Sequence, residues 1–126
     1  MDNNKIETRG ATLSFEENKY LHVVFKPKVS IDLDIAKEIS EATEKLVGQI
    51  PHGNIVDVRN SVFVSSDARK HFASQANEGL VGIAIFSNSK LQTGMVNLYF
   101  RFTKRKVENK LFTDIATAKS WIDSKL

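Results

Sequence analysis

Cysteine is absent from the chain, and its 126 residues include only 2 prolines and 6 glycines. Without cysteine the chain cannot form a disulfide scaffold, a thiolate metal site or a cysteine nucleophile. Pro27 and Pro51 both fall in expected turns, and no proline-rich or glycine-rich linker divides the sequence. We therefore predict one domain that spans residues 1–126.

Long apolar runs are also missing, since no stretch approaches the roughly 18 residues that cross a bilayer. The first five residues, Met1 to Lys5, are polar and lack the apolar segment of a signal peptide. The hydrophobic content of 41% and the charged content of 26% are typical of a globular protein. We therefore expect a cytoplasmic protein with no transmembrane segment.

Positive charge is only slightly in excess, with a net charge of +3. The basic side chains crowd between residues 101 and 110, which fits either a solvated helix end or an anion-binding patch. Regularly interleaved aromatic residues, which a single-strand binder needs, are missing there. We therefore do not expect a nucleic-acid partner. The basic residues of this stretch are Arg101, Lys104, Arg105, Lys106 and Lys110.

Signatures of catalysis, metal binding and cofactor binding are absent. His22, His52 and His71 are isolated, and none has a second histidine at the spacing of a metal site. No phosphate-binding loop, nucleophile elbow or dinucleotide glycine pattern occurs. We therefore predict a non-enzymatic protein without a cofactor or a metal.

The first half of the chain predicts an opening hairpin, a helix and a strand. Alternating apolar residues indicate strands at 6–16 and 19–26, joined through Glu17-Asn18. An apolar stripe predicts a helix over 33–48, which Asp32 caps and Gly48 ends. We interpret Pro51-His52-Gly53 as a turn and residues 54–58 as a buried strand.

The second half predicts alternating helices and strands. We predict a helix from Ser66, its N-cap, to residue 77, with Ala68, Phe72 and Ala76 facing inward. Residues 80–86 are apolar without alternation, as in a parallel strand covered on both faces. A short strand at 110–112 precedes a last helix, capped by Thr113 or Asp114. The inner face of that helix is Ile115, Ala118, Trp121 and Ile122.

Residues 89–103 fit both strand and helix spacing, and we favour a helix because fifteen residues is long for a strand. Its apolar residues exceed what one core-facing stripe needs. They fit deep burial, a homodimer surface through Met95, Tyr99 and Phe102, or the wall of a groove for a small apolar ligand. The predicted fold is β-β-α-β-α-β-α-β-α, an α/β domain with a mostly parallel five-stranded sheet and an opening antiparallel hairpin.

This order, together with Val56-Asp57-Val58-Arg59, Ser65-Ser66 and Leu111-Phe112-Thr113-Asp114, resembles the bacterial STAS/SpoIIAA-like proteins, named after the anti-sigma-factor antagonist. The closing segment looks most like an uncharacterised bacterial branch of that fold. The fold is also similar to the lipid-binding domain of the CRAL-TRIO family. The resemblance implies a regulatory module that binds a protein partner, with an apolar or lipid-like ligand as the alternative.

The serine pair carries the most specific part of the resemblance. In the antagonist family, Asp-Ser-Ser/Thr-Gly opens a helix and its second hydroxyl residue is phosphorylated, which places Ser66 at the phosphoacceptor position and Ser65 before it. Here Val64 and Asp67 stand where the family has Asp and Gly. Asp67 would repel the charge of a phosphoserine.

The end of the 54–58 strand supplies a second candidate site. Asp57, Arg59 and Asn60 follow a central strand, where α/β sheets place their ligands. The three side chains could grip a polar molecule. Alternatively, Asp57 and Arg59 could tether the loop, or Arg59 could simply be solvated. Phe63, in the same loop, is apolar enough to pack under the sheet or to contact a partner.

Overall fold

The computed structural model describes residues 4–60, 63–74, 78–87 and 107–126. These residues form a mixed six-stranded sheet whose strands lie side by side in chain order. The first three strands pair antiparallel, and the third to the sixth pair parallel. The elements are β1 Lys5–Glu7, β2 Ala11–Glu16, β3 Tyr20–Phe25, α1 Leu33–Val47, β4 His52–Asp57, α2 Ser66–Ser74, β5 Leu80–Phe86, β6 Asn109–Phe112 and α3 Ile115–Asp123.

The opening hairpin is confirmed, with Glu16 opposite Tyr20 and Ala11 opposite Phe25. Residues 17–19 connect the strands, and the Lys19 N–H donates to the Glu16 carbonyl at 3.0 Å. Glu17 and Asn18, at the centre of this turn, have φ angles of 55° and 54°, the left-handed geometry that suits the twist of a hairpin. The α/β class is therefore confirmed, and so is its antiparallel start.

The strand predicted over residues 6–16 is two strands, which makes six strands instead of five. The Thr8 hydroxyl accepts hydrogen bonds from the backbone N–H groups of Gly10 and Ala11, at 3.3 and 3.1 Å, and turns the chain between β1 and β2. Hydroxyl-to-backbone bonds of this kind compete with strand pairing. A Cβ atom on Gly10 would lie 2.4 Å from the Ile35 side chain. Because Gly10 has no side chain, α1 can pack closely against this turn.

Helix α1 matches its predicted boundaries closely. The Asp32 carboxylate accepts a hydrogen bond from the Ile35 N–H at 2.9 Å, and Gly48 ends the helix with a φ of 52°. The predicted apolar stripe packs into the core, where Leu46 is partly buried and its other residues are buried.

Two apolar layers enclose the sheet. Helices α1 and α2 contact each other on one face, while α3 packs on β4, β5 and β6 on the other. Strand β5 faces both layers, because Ile83 and Ile85 belong to the first and Ala84 and Phe86 to the second. The prediction that residues 80–86 form a strand covered on both faces is therefore confirmed.

Strand β4 begins at His52, so the turn predicted at Pro51-His52-Gly53 is wrong for its last two residues. The His52 N–H donates to the carbonyl of Gly79, just before β5, at 2.8 Å, and the Gly53 N–H to the carbonyl of Lys19, just before β3, at 2.9 Å. Gly53 pairs in register with Gly82 on β5. The two glycines leave room for Ile122 and Trp121 of α3 to approach the backbone.

The end of the chain follows the prediction in outline. Asp114 caps α3, since its carboxylate accepts a hydrogen bond from the Thr117 N–H at 2.8 Å. Lys110 lies in β6 and not at a helix end. The predicted helix over 89–103 and the inward position of Ala76 lie outside the described residues. Across the described ranges, no helix is long and apolar enough to cross a membrane.

Candidate functional site

The predicted site residues lie where the parallel strands end. Strand β4 ends at Asp57 and β5 ends at Phe86, and these two residues are partners in the sheet register. Arg59 and Asn60 follow Asp57 directly, and the segment from Phe63 leads into α2. We call this region, defined by Asp57, Arg59, Asn60, Phe63 and Ser65, the carboxyl edge.

Asp57 and Arg59 form the centre of the carboxyl edge. The Asp57 carboxylate accepts hydrogen bonds from Arg59 Nε at 3.0 and 3.1 Å, from Nη2 at 2.7 Å and from the Arg59 backbone N–H at 3.0 Å. The Asp57 side chain is 8% exposed and that of Arg59 is 48% exposed. A buried carboxylate therefore holds a guanidinium that reaches into solvent, and this contact raises the pKa of Arg59 above its usual value.

Phe86 forms the floor beneath the guanidinium, with its ring centroid 4.6 Å from Arg59 Cζ. At this separation the aromatic face attracts the cation. This role of Phe86 was not predicted from the sequence. The position of Phe86 did offer a signal for this role, because Phe86 and Asp57 end two neighbouring strands.

Asn60 ties the loop to the neighbouring strand and does not complete a polar cup. Its side-chain amide donates to the Phe25 carbonyl, at the end of β3, with a distance of 2.6 Å. Asp57 and Arg59 are hydrogen-bonded to each other, as the tether alternative has it, while Arg59 and Asn60 are both exposed.

Phe63 lies exposed on a fixed backbone, not tucked under the sheet. Its side chain is 71% exposed. Its carbonyl accepts the Ile31 N–H at 2.7 Å, and the Ser65 N–H donates to the Ile31 carbonyl at 2.9 Å. Val64 and Ile31 thereby form a one-residue parallel bridge.

The cap of α2 is Ser65, so the prediction that Ser66 caps this helix is wrong by one residue. The Ser65 hydroxyl oxygen accepts the Ala68 N–H at 3.1 Å, and Ser66 is the first helical residue. The backbone bonds between Ser65 and Ile31 place Ser65 outside the helix, where a cap belongs. Ser66 and Asp67 are both exposed in the first turn.

A family model described as a domain of unknown function, DUF7793, matches residues 13–125. The chain belongs to this family. No curated protein and no solved structure matches it.

The carboxyl edge of this DUF7793 domain offers polar contacts and an exposed aromatic ring. No cluster of three or more histidine or acidic side chains able to hold a metal occurs in the described ranges. Met95, Tyr99 and Phe102, predicted as a possible homodimer surface, lie outside the described residues. At this edge Arg59 and Phe63 present a charged group and an apolar ring to solvent.

Proposed function

We propose that this domain is a non-enzymatic regulatory module of the STAS/SpoIIAA-like kind, which binds a protein partner through its carboxyl edge. The observation that carries the proposal is the exposed ring of Phe63. Arginine and aromatic side chains are enriched among the residues that dominate protein interfaces. Arg59 and Phe63 both belong to the carboxyl edge.

Phe63 stands apart from the other exposed apolar side chains in the described ranges. It is 71% exposed, whereas Leu126 is 48% and Ile50 is 42% exposed. The hydrogen bonds of residues 63 and 65 to Ile31 hold the backbone of Phe63 in place. Because little backbone order must be gained on binding, such a ring is suited to anchor a partner.

Two further features support the regulatory assignment. The sheet begins with an antiparallel hairpin and continues in parallel, as the resemblance implies. The serine pair Ser65-Ser66 lies at the start of α2, close along the chain to Phe63, with Ser66 exposed. A partner that covers Phe63 would therefore lie near the residue that matches the phosphoacceptor position.

Photo-crosslinking in the native host tests the proposal. A photoreactive phenylalanine analogue replaces Phe63 in one variant and Ile50 in a control. Ile50 precedes β4 and lies at the opposite edge of the sheet. We expect a discrete light-dependent adduct with one protein from position 63 and none from position 50.

The result against the proposal is equally distinct. If position 63 yields no adduct, or the same adducts as position 50, the carboxyl edge does not bind a protein. Circular dichroism of both variants shows whether each is folded before its crosslinking result is used.

A further inference from the structure

Among the described residues, Arg59 makes hydrogen bonds through only one edge of its guanidinium. Asp57 occupies Nε and Nη2, which together form the side edge of the group. Within the part of the chain that the structure describes, Nη1 makes no hydrogen bond. Since a guanidinium carries five N–H donors in a planar fork, the two N–H groups of Nη1 and one of Nη2 remain for another acceptor.

The free edge is held in a fixed position. The buried Asp57 carboxylate sets the plane of the guanidinium, and the Phe86 ring 4.6 Å away supports one face of it. The loop that carries Arg59 is itself tied to β3 through Asn60. An arginine ordered in this way loses less side-chain freedom on binding than a free surface arginine.

We propose that the Nη1–Nη2 edge of Arg59 binds a carboxylate of the protein partner, next to the part of the partner that covers Phe63. The inference rests on the proposed function, because it names the chemistry that the partner brings to the carboxyl edge. The two parallel N–H donors match the two oxygens of a carboxylate. This polar contact fixes the orientation of a partner that Phe63 anchors by its apolar surface.

The charges at the edge favour a carboxylate over a phosphate. Asp57 already neutralises the formal charge of Arg59. A phosphate group carries about −1.5 to −2 charges at pH 7 and meets more repulsion from the Asp57 carboxylate than a singly charged carboxylate does.

Nuclear magnetic resonance titration of the labelled full chain tests the site with acetate and with inorganic phosphate at constant ionic strength. We expect acetate to shift the Arg59 Nε–H signal along a saturable curve, with a dissociation constant of roughly 1–100 mM. Arg9 is the matched control, because its Nε also donates to a carboxylate, Glu38, and its side chain is 63% exposed. Its signal should shift only weakly and linearly.

The variant Arg59→Lys keeps the positive charge but lacks the planar pair of N–H donors. We expect acetate to lose its saturable effect on the backbone amide of Asn60 in this variant, while the rest of the spectrum stays that of the folded protein. An equal saturable shift at Arg9, a linear shift at Arg59, binding that persists in Arg59→Lys, or tighter binding of phosphate than of acetate would each overturn the inference.

Crosslinking from position 63 separates this inference from the proposed function. In the Arg59→Lys background the yield of the adduct should fall at least several-fold. An unchanged yield rules out carboxylate recognition by Arg59 and leaves partner binding in place. If the protein with Arg59 intact gives no adduct, the proposed function itself fails.

Discussion

The Tyr20 hydroxyl donates a hydrogen bond to the Asp123 carboxylate at 2.6 Å and thereby joins β3 to the last turn of α3. Lys119 of α3 strengthens this junction, since its Nζ lies 5.2 Å from the centre of the Tyr20 ring and also contacts the Glu16 carboxylate. Helix α3 otherwise packs on β4, β5 and β6. The polar contacts therefore extend its attachment to the antiparallel part of the sheet.

Replacing Tyr20 by phenylalanine should loosen this junction. The hydrogen bond to Asp123 raises the pKa of the Tyr20 phenol from 10.0 to about 12. The neutral phenol is thus favoured in the folded state, and this part of the stability is lost as the pH rises from about 10 towards 12. We expect Tyr20→Phe to lower the free energy of unfolding by about 1 kcal/mol near neutral pH, measured by urea denaturation.

Absorbance titration of tyrosinate provides the second measurement. The chain contains 2 tyrosines, so Tyr20→Phe should remove the component that ionises near pH 12. Tyr99→Phe is the control and should retain that component. If Tyr20→Phe leaves both the late ionisation and the unfolding midpoint in place, the contact with Asp123 does not form.

Much of the fold could be predicted because local chemistry determines it. Glu17-Asn18 between two alternating segments specifies a hairpin, and Asp32 and Asp114 mark the starts of helices. The break at Thr8 was missed because a hydroxyl bond to the Ala11 N–H interrupts an otherwise alternating pattern. The strand position of Gly53 was missed because Pro51-His52-Gly53 has turn composition, whereas α3 needs a residue without a side chain there.

The site could be predicted in position but not in detail. Strand ends place Asp57, Arg59 and Asn60 at one edge, which the sequence pattern indicates. The burial of Asp57 and the Phe86 floor under Arg59 depend on how β4 and β5 align, which no local pattern encodes. In the same way, Ser65 and Ser66 are equally good caps by composition. Only the bonds from Ile31 to residues 63 and 65 decide between them.

The two serines at the start of α2 should differ in their contributions to stability. Ser65→Ala removes the acceptor for the Ala68 N–H and should lower the free energy of unfolding by about 0.5–2 kcal/mol. Ser66→Ala removes an exposed hydroxyl and should change it by less than about 0.5 kcal/mol. Urea denaturation of the two variants side by side checks this order, and a larger loss in Ser66→Ala would contradict the assigned cap.

His52 should make the fold sensitive to acid. Its side chain is fully buried, its Nδ1–H donates to the Ile50 carbonyl at 2.6 Å, and its Nε2 has no partner among the described residues. Burial lowers the pKa of His52 below 6.5. The unfolded chain therefore binds a proton at His52 more readily than the folded chain does. The stability that neutral His52 contributes is complete above pH 6.5 and is lost as the pH falls through the lowered pKa.

Unfolding free energies measured in urea between pH 7.5 and 5 test this effect. We expect His52→Leu to reduce the slope below pH 6.5 by up to about 1.4 kcal/mol per pH unit. The control is Phe15→Leu, which removes the ring whose centroid lies 5.9 Å from that of His52. Phe15→Leu should lower the free energy of unfolding at every pH and leave its slope against pH unchanged. Equal slopes in the parent protein and His52→Leu would exclude His52 as the cause of acid sensitivity.

Gly53 and Ile122 should be energetically coupled across the interface of β4 and α3. A Cβ atom on Gly53 would lie 2.6 Å from both Cγ atoms of Ile122, which is fully buried. We expect Gly53→Ala to lower the free energy of unfolding by about 1–3 kcal/mol through overpacking. Gly82→Ala is the control and should lower it less, since its nearest neighbours, at 3.0 Å, are the outer atoms of Trp121 and Lys125.

The double variant Gly53→Ala with Ile122→Ala decides whether this contact is the cause. Ile122→Ala alone leaves a cavity and should cost about 2–5 kcal/mol. In the double variant the new methyl group occupies part of that cavity and no longer meets the Cγ atoms. The combined loss should therefore be smaller than the sum of the single losses by about 1 kcal/mol or more. Additive losses in urea denaturation would mean that Gly53 is required for a reason other than the approach of Ile122.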